Sequence, residues 1–188
     1  MREGPFLIGL TGNIATGKSE VARMLGALGA RVIDADRVAH EVMAPGGAAY
    51  DAVVEAFGPG ILSPDGTIDR SRLGYVVFRD PGALRRLEAV THPATIVEVG
   101  QRIAAATEPV VAIEAIKLIE AGMHRAYDEL WVVTAPRALQ IERLMAHRGL
   151  SEVEARLRVD AQPPQEEKAG VADRVFLNDG SLDDLRRE

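Results

Sequence analysis

Residues 9–21 read GLTGNIATGKSEV. The spacing of Gly12, Gly17, Lys18 and Ser19 fits G-x-x-x-x-G-K-[ST], and the flanks decide what that fit means. Before it stands FLIGL (Phe6 to Leu10), a continuous apolar run bounded by a turn signal. Such a run reads as a strand buried on both faces, as in parallel sheets. After Lys18 the period changes: Val21, Leu25 and Leu28 recur at helical spacing, and Gly29 stands where a helix would stop. Strand, glycine-rich loop and helix form the setting of a phosphate-binding loop. Glycines let the backbone turn tightly and approach an anion. Successive N–H groups then make a concave nest, and the helix N-terminus adds partial positive charge. Lys18 would reach the β- and γ-phosphates of a nucleotide, and the Ser19 hydroxyl would bind Mg²⁺.

The same alternation continues along the chain. RVID (Arg31 to Asp34), VVAIEAI, ELWVVTA and RVFLN are four further strand candidates, separated by helical patterns. Alternation of this kind predicts an α/β fold with a parallel five-stranded sheet flanked by helices. Two regions interrupt the rhythm. Residues from about Arg37 to Ala106 read as helical, broken at Pro45-Gly46-Gly47, Gly58-Pro59-Gly60 and Pro64-Asp65-Gly66. Residues Arg137 to Glu167 are helical and dense in arginine and glutamate, and are broken at Gln162-Pro163-Pro164. Within them Ser151 and Glu154 form a capping box that opens a second helix.

Bulk properties narrow the class. The 188 residues suit one domain with an insertion; 47% are hydrophobic and 27% charged. No apolar run reaches the roughly 18 residues of a membrane span. The opening MREGPFLIGL is interrupted too early for a signal peptide, and there is no cysteine. A cytoplasmic location is the expectation. The formal net charge of -6 argues against a general nucleic-acid binder, although a local arginine cluster could still hold an anionic substrate.

A nucleoside triphosphate needs an acceptor. Asp34 and Asp36, in "DAD", lie just past the second strand, at the sheet edge where the loop also emerges. One of them could take a proton from an attacking hydroxyl or order water around Mg²⁺. The plainer alternative is an acidic pair capping the next helix. Glu114 follows Val110-Val111-Ala112-Ile113; a carboxylate in such a strand needs a partner, either Lys117 or the metal. His92 stands before Pro93, where a helix is expected to end. His40, one turn after Asp36, could pair with it or touch substrate. Asn178 could read the base or start the turn Asn178-Asp179-Gly180. Arg156 and Arg158 read as a solvated face with Glu152 and Glu154 as partners.

Longer segments make the pattern particular. GLTGNIATGKS, GARVIDADRVAHEV, AFGPGILSPDGTIDRSRLGYVVFRD, LEAVTHP, LIEAG, RLMAHRGLSEVEARLRVDAQ and ADRVFLNDGSLDDL occur in this order and span nearly the whole chain. On these the chain resembles the dephospho-CoA kinases, P-loop enzymes that phosphorylate the ribose 3′-hydroxyl of dephospho-CoA with ATP. The resemblance implies a P-loop kinase fold. Its nucleotide-binding core would comprise residues 1–36, 107–136 and 169–188. A helical CoA-binding insertion would cover 37–106, and a lid 137–168. It implies ATP and Mg²⁺ as cofactors and Asp36 as catalytic base, with Lys18 and Arg143 stabilising charge. Gly12, Asn13, Ile14, Ala15, Thr16, Gly17, Lys18 and Ser19 would bind nucleotide, together with Val21 and Asn178. Asp34, Asp36, His40, His92 and Lys117 would lie along the substrate. Some positions depart from the family's usual pattern. Asn13 and Ala15 stand where glycine is more common, His147 where a second lid arginine is common, and AIKLIE where the family reads PLL. The terminal helix in LDDLRRE is expected to be short. Two other readings stay open: a kinase of another small metabolite, such as a nucleoside monophosphate, and a nucleotide-dependent switch. The absence of N-K-x-D counts against a GTPase switch.

Overall fold

A computed structural model describes residues 4–188. The chain divides into two compact units, Met1–Asp34 with Ala106–Glu188, and Ala35–Ala105. The first holds a five-stranded, wholly parallel sheet of strands β1 (Phe6–Thr11), β2 (Arg31–Asp34), β3 (Val110–Glu114), β4 (Glu129–Thr134) and β5 (Arg174–Leu177). Their order is β2-β3-β1-β4-β5. β1 is central, and its apolar run is what a strand covered on both faces requires. Ile8 and Leu10 are buried, as are Val111 to Ile113 of β3 and Val132 and Val133 of β4.

Helix α1 (Lys18–Ala27) packs against this sheet. Val21 and Ala22 join Leu10, Val133 and Leu185 in one core cluster, with Leu25 and Trp131 against it. Burying each of the valine and leucine side chains among them contributes about 1.5–3 kcal/mol. The expected apolar stripe is shorter than its spacing suggests: Leu28 is 78% exposed, because the helix has already ended one residue earlier. Gly29 then takes a φ of +96°, as expected for a stop.

Residues 137–169 of this unit form α6 (Arg137–Arg148), α7 (Glu152–Asp160) and α8 (Gln165–Ala169). The Ser151–Glu154 capping box is present at the start of α7. Arg137 pairs with Asp160 at 2.7 Å, tying the start of α6 to the end of α7. Arg156 pairs with Glu152 on the solvated face. Ile141, Leu144 and Ala155 make a small core of their own, and Ile14 and Ala15 of the loop after β1 pack into it. A short helix, α9 (Leu182–Arg187), follows β5.

The second unit is helical: α2 (Ala35–Glu41), α3 (Tyr50–Phe57), α4 (Arg70–Val77) and α5 (Pro81–Ala104). Asp69 caps α4 by accepting from Ser71 and Arg72 N–H, and Asp80 caps α5. α5 is a 24-residue helix that runs through Pro93, so the expected end at His92 is not there. Pro93 has no N–H for the carbonyl one turn back. The helix continues because its stripe Ala83, Thr91, Thr95 and Val99 is buried, with α2, α3 and α4 packed on it. Burial of that face outweighs one lost hydrogen bond. Glu41 accepts from Arg37 and Arg102, and these guanidiniums hold its carboxyl below the usual range.

Candidate active site

The loop between β1 and α1 leaves the sheet at the carboxyl edge, with β3 on one side and β4 on the other. Ligands of open parallel sheets gather at that edge. Gly12 and Gly17 are required by space. A Cβ on Gly12 would stand 2.4 Å from the Val133 carbonyl oxygen, and one on Gly17 2.0 Å from Asn178 Nδ2. Gly17 also takes a φ of +98° as it enters α1, with no side chain capping the helix. Among the described residues, the N–H groups of Ala15, Gly17, Lys18 and Ser19 have no hydrogen-bond acceptor. They form a set of donors for an anion, reinforced by the helix end.

Lys18 is 9% exposed and Glu114 7%. Glu114 ends β3, the strand beside β1, and so reaches under the loop. Its Oε1 accepts from Lys18 Nζ and from Ser19 Oγ, both at 2.6 Å. The partner of Glu114 is therefore Lys18, and the expected pairing with Lys117 gives way to it. Parallel register carries Glu114 to the loop, whereas Lys117 lies three residues past it and is exposed. One carboxylate thus engages both the cation and the hydroxyl that the loop motif provides.

Helix α6 reaches the loop from the other side. Arg143 on α6 donates to the carbonyls of Ala15 and Thr16 at 3.3 Å, and to Asn178 O and Oδ1 at 3.1 Å. Asn178 is 3% exposed, and its Nδ2 donates to Thr16 O at 2.8 Å. Its amide holds the loop as well as lining the cavity beside it. That cavity, of about 520 Å³, is bounded by Ala15, Gly17, Arg143, His147, Arg148 and Asn178. His147 and the adjacent Arg148 both line it. Asn13 Nδ2 donates to Pro163 O at 2.8 Å, and Ile14 N–H to Gln162 Oε1 at 2.7 Å. Thr16 Oγ1 donates to Asn13 O at 3.0 Å. Val21, expected beside the nucleotide, has its side chain in the core cluster.

Asp34 ends β2 in register with Glu114, at the same sheet edge. Asp36 stands two residues on, in the first turn of α2, and is half-buried. In the helical unit His40 Nε2 accepts from Arg70 at 2.8 Å. His92 is half-buried on α5. Sequence reasoning missed Gln162 and Arg70. Gln162 could have drawn notice only as a polar residue before two prolines, and Arg70 only as a cation in "IDR".

A parallel sheet with a glycine-formed anion nest on its central strand, and a buried lysine at the nest's base, defines a P-loop phosphotransferase. Solved kinases share this fold: a shikimate kinase from Bacteroides thetaiotaomicron superposes with a TM-score of 0.52 at 16% identity, over 97% of this chain and 94% of that one. Nearer structures are a Thermus thermophilus protein and a dephospho-CoA kinase from Campylobacter jejuni. The first has a TM-score of 0.87 at 36% identity, covering 98% of this chain and 94% of that one. The second has a TM-score of 0.68 at 29% identity, covering 96% and 92%. The family model for dephospho-CoA kinase matches residues 6–184. The dephospho-CoA kinase of Geobacter sulfurreducens is 49% identical over 184 residues, 96% of this chain and 93% of that protein. The chain belongs to the dephospho-CoA kinase family. Its activity is that of an ATP-dependent kinase. Among the described residues, no helix is long and apolar enough to cross a membrane.

Proposed function

We propose that the chain transfers the γ-phosphoryl group of ATP to the ribose 3′-hydroxyl of dephospho-CoA, with Asp36 as base and Mg²⁺ bound at Ser19, in the cytoplasm. The observation that carries the nucleotide half is the row of free N–H groups above the Lys18–Glu114–Ser19 cluster. In the reaction the 3′-oxygen attacks the γ-phosphorus while the bond to the β,γ-bridging oxygen breaks. ADP leaves, and the hydroxyl proton passes to the Asp36 carboxylate. Lys18 and the loop N–H groups hold the phosphates in line and stabilise charge on the transferring group. Arg143 adds a second cation, and closure of residues 137–168 would exclude the water that competes as acceptor. Asp34 supports Asp36 or the metal. His40, His92 and Lys117 contact the substrate, and residues 37–106 bind its CoA portion.

The donors at the loop suit a hard divalent cation. Ser19 offers a hydroxyl and Glu114 a carboxylate, and Mg²⁺ commonly takes its remaining ligands from phosphates and water. When bound, Mg²⁺ would supply charge neutralisation to the phosphates.

The test is Asp36→Asn, assayed for phosphotransfer to dephospho-CoA and to nucleoside monophosphates in parallel, with ATP binding measured by titration calorimetry. Transfer to dephospho-CoA is expected to fall at least a thousandfold, with ATP affinity nearly unchanged. Full activity in the variant refutes the base. Transfer by the native chain only to monophosphates refutes the acceptor.

A further inference from the structure

The loop carries an unusual strain, and the residues around it offset that strain. Ala15 has a φ of +58°, the only non-glycine residue with positive φ among those described. A side chain there disfavours the conformation, which a glycine would adopt freely. Two residues earlier, Asn13 is 8% exposed. Its Nδ2 donates to Pro163 O, while its Oδ1 is buried with no donor. A glycine at position 13 would carry no such unsatisfied oxygen. Both positions are therefore costly taken alone.

Together they make physical sense. The bond from Asn13 fixes Pro163, and the adjacent Gln162 accepts from Ile14 N–H at 2.7 Å. Ile14 immediately precedes the strained residue. On its other side, Arg143 donates to the Ala15 and Thr16 carbonyls. The Asn13–Ile14 peptide and the Ala15–Thr16 peptide, on either side of the turn, are thus both held, and the Ala15 side chain packs into the small core around Leu144 and Ala155. Strained backbone persists where its surroundings over-determine it.

We propose that Asn13 and Gln162 are positioning residues that hold the strained Ile14–Ala15 turn in its phosphate-binding shape, and that Asn13 matters because position 15 is alanine. The inference rests on the reading that this loop binds the triphosphate. It predicts that the two sites are energetically coupled, since a glycine at position 15 removes the strain that the clasp opposes.

The experiment is a double-mutant cycle on the full chain, read as the Kd for MgATP by titration calorimetry and as KM for ATP. Asn13→Gly is expected to raise both about three- to tenfold, the weight of one hydrogen bond, with kcat changed less than twofold. In an Ala15→Gly background the same substitution should cost less than half as much on the logarithmic scale. Gln162→Ala should show the same dependence on position 15, and it serves should Asn13→Gly fold poorly. Equal costs in both backgrounds, or no cost in the native background, overturn the inference. Lys18→Ala separates the underlying reading: if the native chain binds MgATP no better than Lys18→Ala does, the loop assignment has failed. If the native chain binds better but the cycle shows no coupling, only the clasp has failed.

Discussion

Replacing Glu114 with glutamine keeps the side chain's shape and removes its charge. In the native chain one carboxylate oxygen accepts from Lys18 Nζ and Ser19 Oγ at 2.6 Å, with both ionic side chains about nine-tenths buried. Hydrogen bonds to charged groups are each worth about 1.5–3 kcal/mol, and removing one partner of a buried pair costs about 3–5 kcal/mol. Glutamine still accepts through its oxygen, so part of that is retained. The buried Lys18 ammonium, however, loses the carboxylate charge that it pairs with. A net loss of about 2–4 kcal/mol follows, which for a chain of this size lowers Tm by roughly 4–15 °C. The substitution also weakens the bond that orients Ser19. If that hydroxyl serves Mg²⁺, kcat should fall about a hundredfold, the usual scale for losing one electrostatic contributor. Differential scanning calorimetry gives the first quantity. A coupled ADP-release assay, at saturating ATP and 5–10 °C below the variant's Tm onset, gives the second. A Tm within 1 °C of the native value would refute the argument that this pair anchors the loop. A lowered Tm with unchanged kcat would leave the anchor standing and remove Glu114 from the metal site.

Two further outcomes are expected. Arg143→Ala should lower kcat/KM at least a hundredfold in the same assay. Arg143→Lys should recover less than a tenth of it, because an ammonium cannot span the carbonyls of Ala15, Thr16 and Asn178 as the guanidinium does. Full recovery by lysine would mean that charge alone matters. At high pH, stability should fall through Tyr127. Burial of its phenol raises the pKa to about 12 from an ordinary 10. The folded form therefore keeps the proton that the unfolded form releases. The contribution is fully present below pH 10 and is lost between pH 10 and 12, by roughly 2 kcal/mol. Urea melts of the native chain and Tyr127→Phe at pH 9 and 11.5 check this, the variant losing less over that interval.

What was legible in the sequence was whatever repeats locally. The inner strands β1, β3 and β4 are apolar runs because parallel strands are covered on both faces, and each of the five runs identified in the sequence matches one strand to within two residues. The start of α7 was legible because a capping box is a four-residue pattern. The loop's glycines were legible because close approach and positive φ leave no other residue. Three kinds of feature were not. Arg143 reaches Ala15 across 128 positions, Gln162 reaches Ile14 across 148, and Asn178 reaches Thr16 across 162. No period encodes such bonds; they exist because residues 137–169 and β5 return to the edge where β1 ends. The partner of Glu114 was missed because proximity in sequence suggested Lys117, while parallel register selected Lys18. Pro93 was misread because a local rule for helix ends competes with the buried face of a 24-residue helix, and burial prevails.

The chain is acidic, with 28 Asp and Glu against 22 Lys and Arg, yet it is a kinase that must hold a triphosphate. Global charge opposes this weakly, since screening in physiological salt acts within about 8 Å. Much of the surface charge is spent in pairs, such as Arg23 with Glu20 and Arg156 with Glu152. At the loop the balance is more specific. Lys18, the buried cation there, is neutralised by Glu114 in the free protein. A bare polyanion approaching the nest would gain Lys18 only by bringing its own charge beside the Glu114 carboxylate. On the proposed reading, a nucleotide that arrives with a divalent cation avoids this conflict: Lys18 turns to the phosphates while Glu114 and Ser19 face the metal. The same carboxylate that pairs with Lys18 would then discriminate between metal-complexed ATP and other anions, which the N–H nest alone would accept with little selectivity.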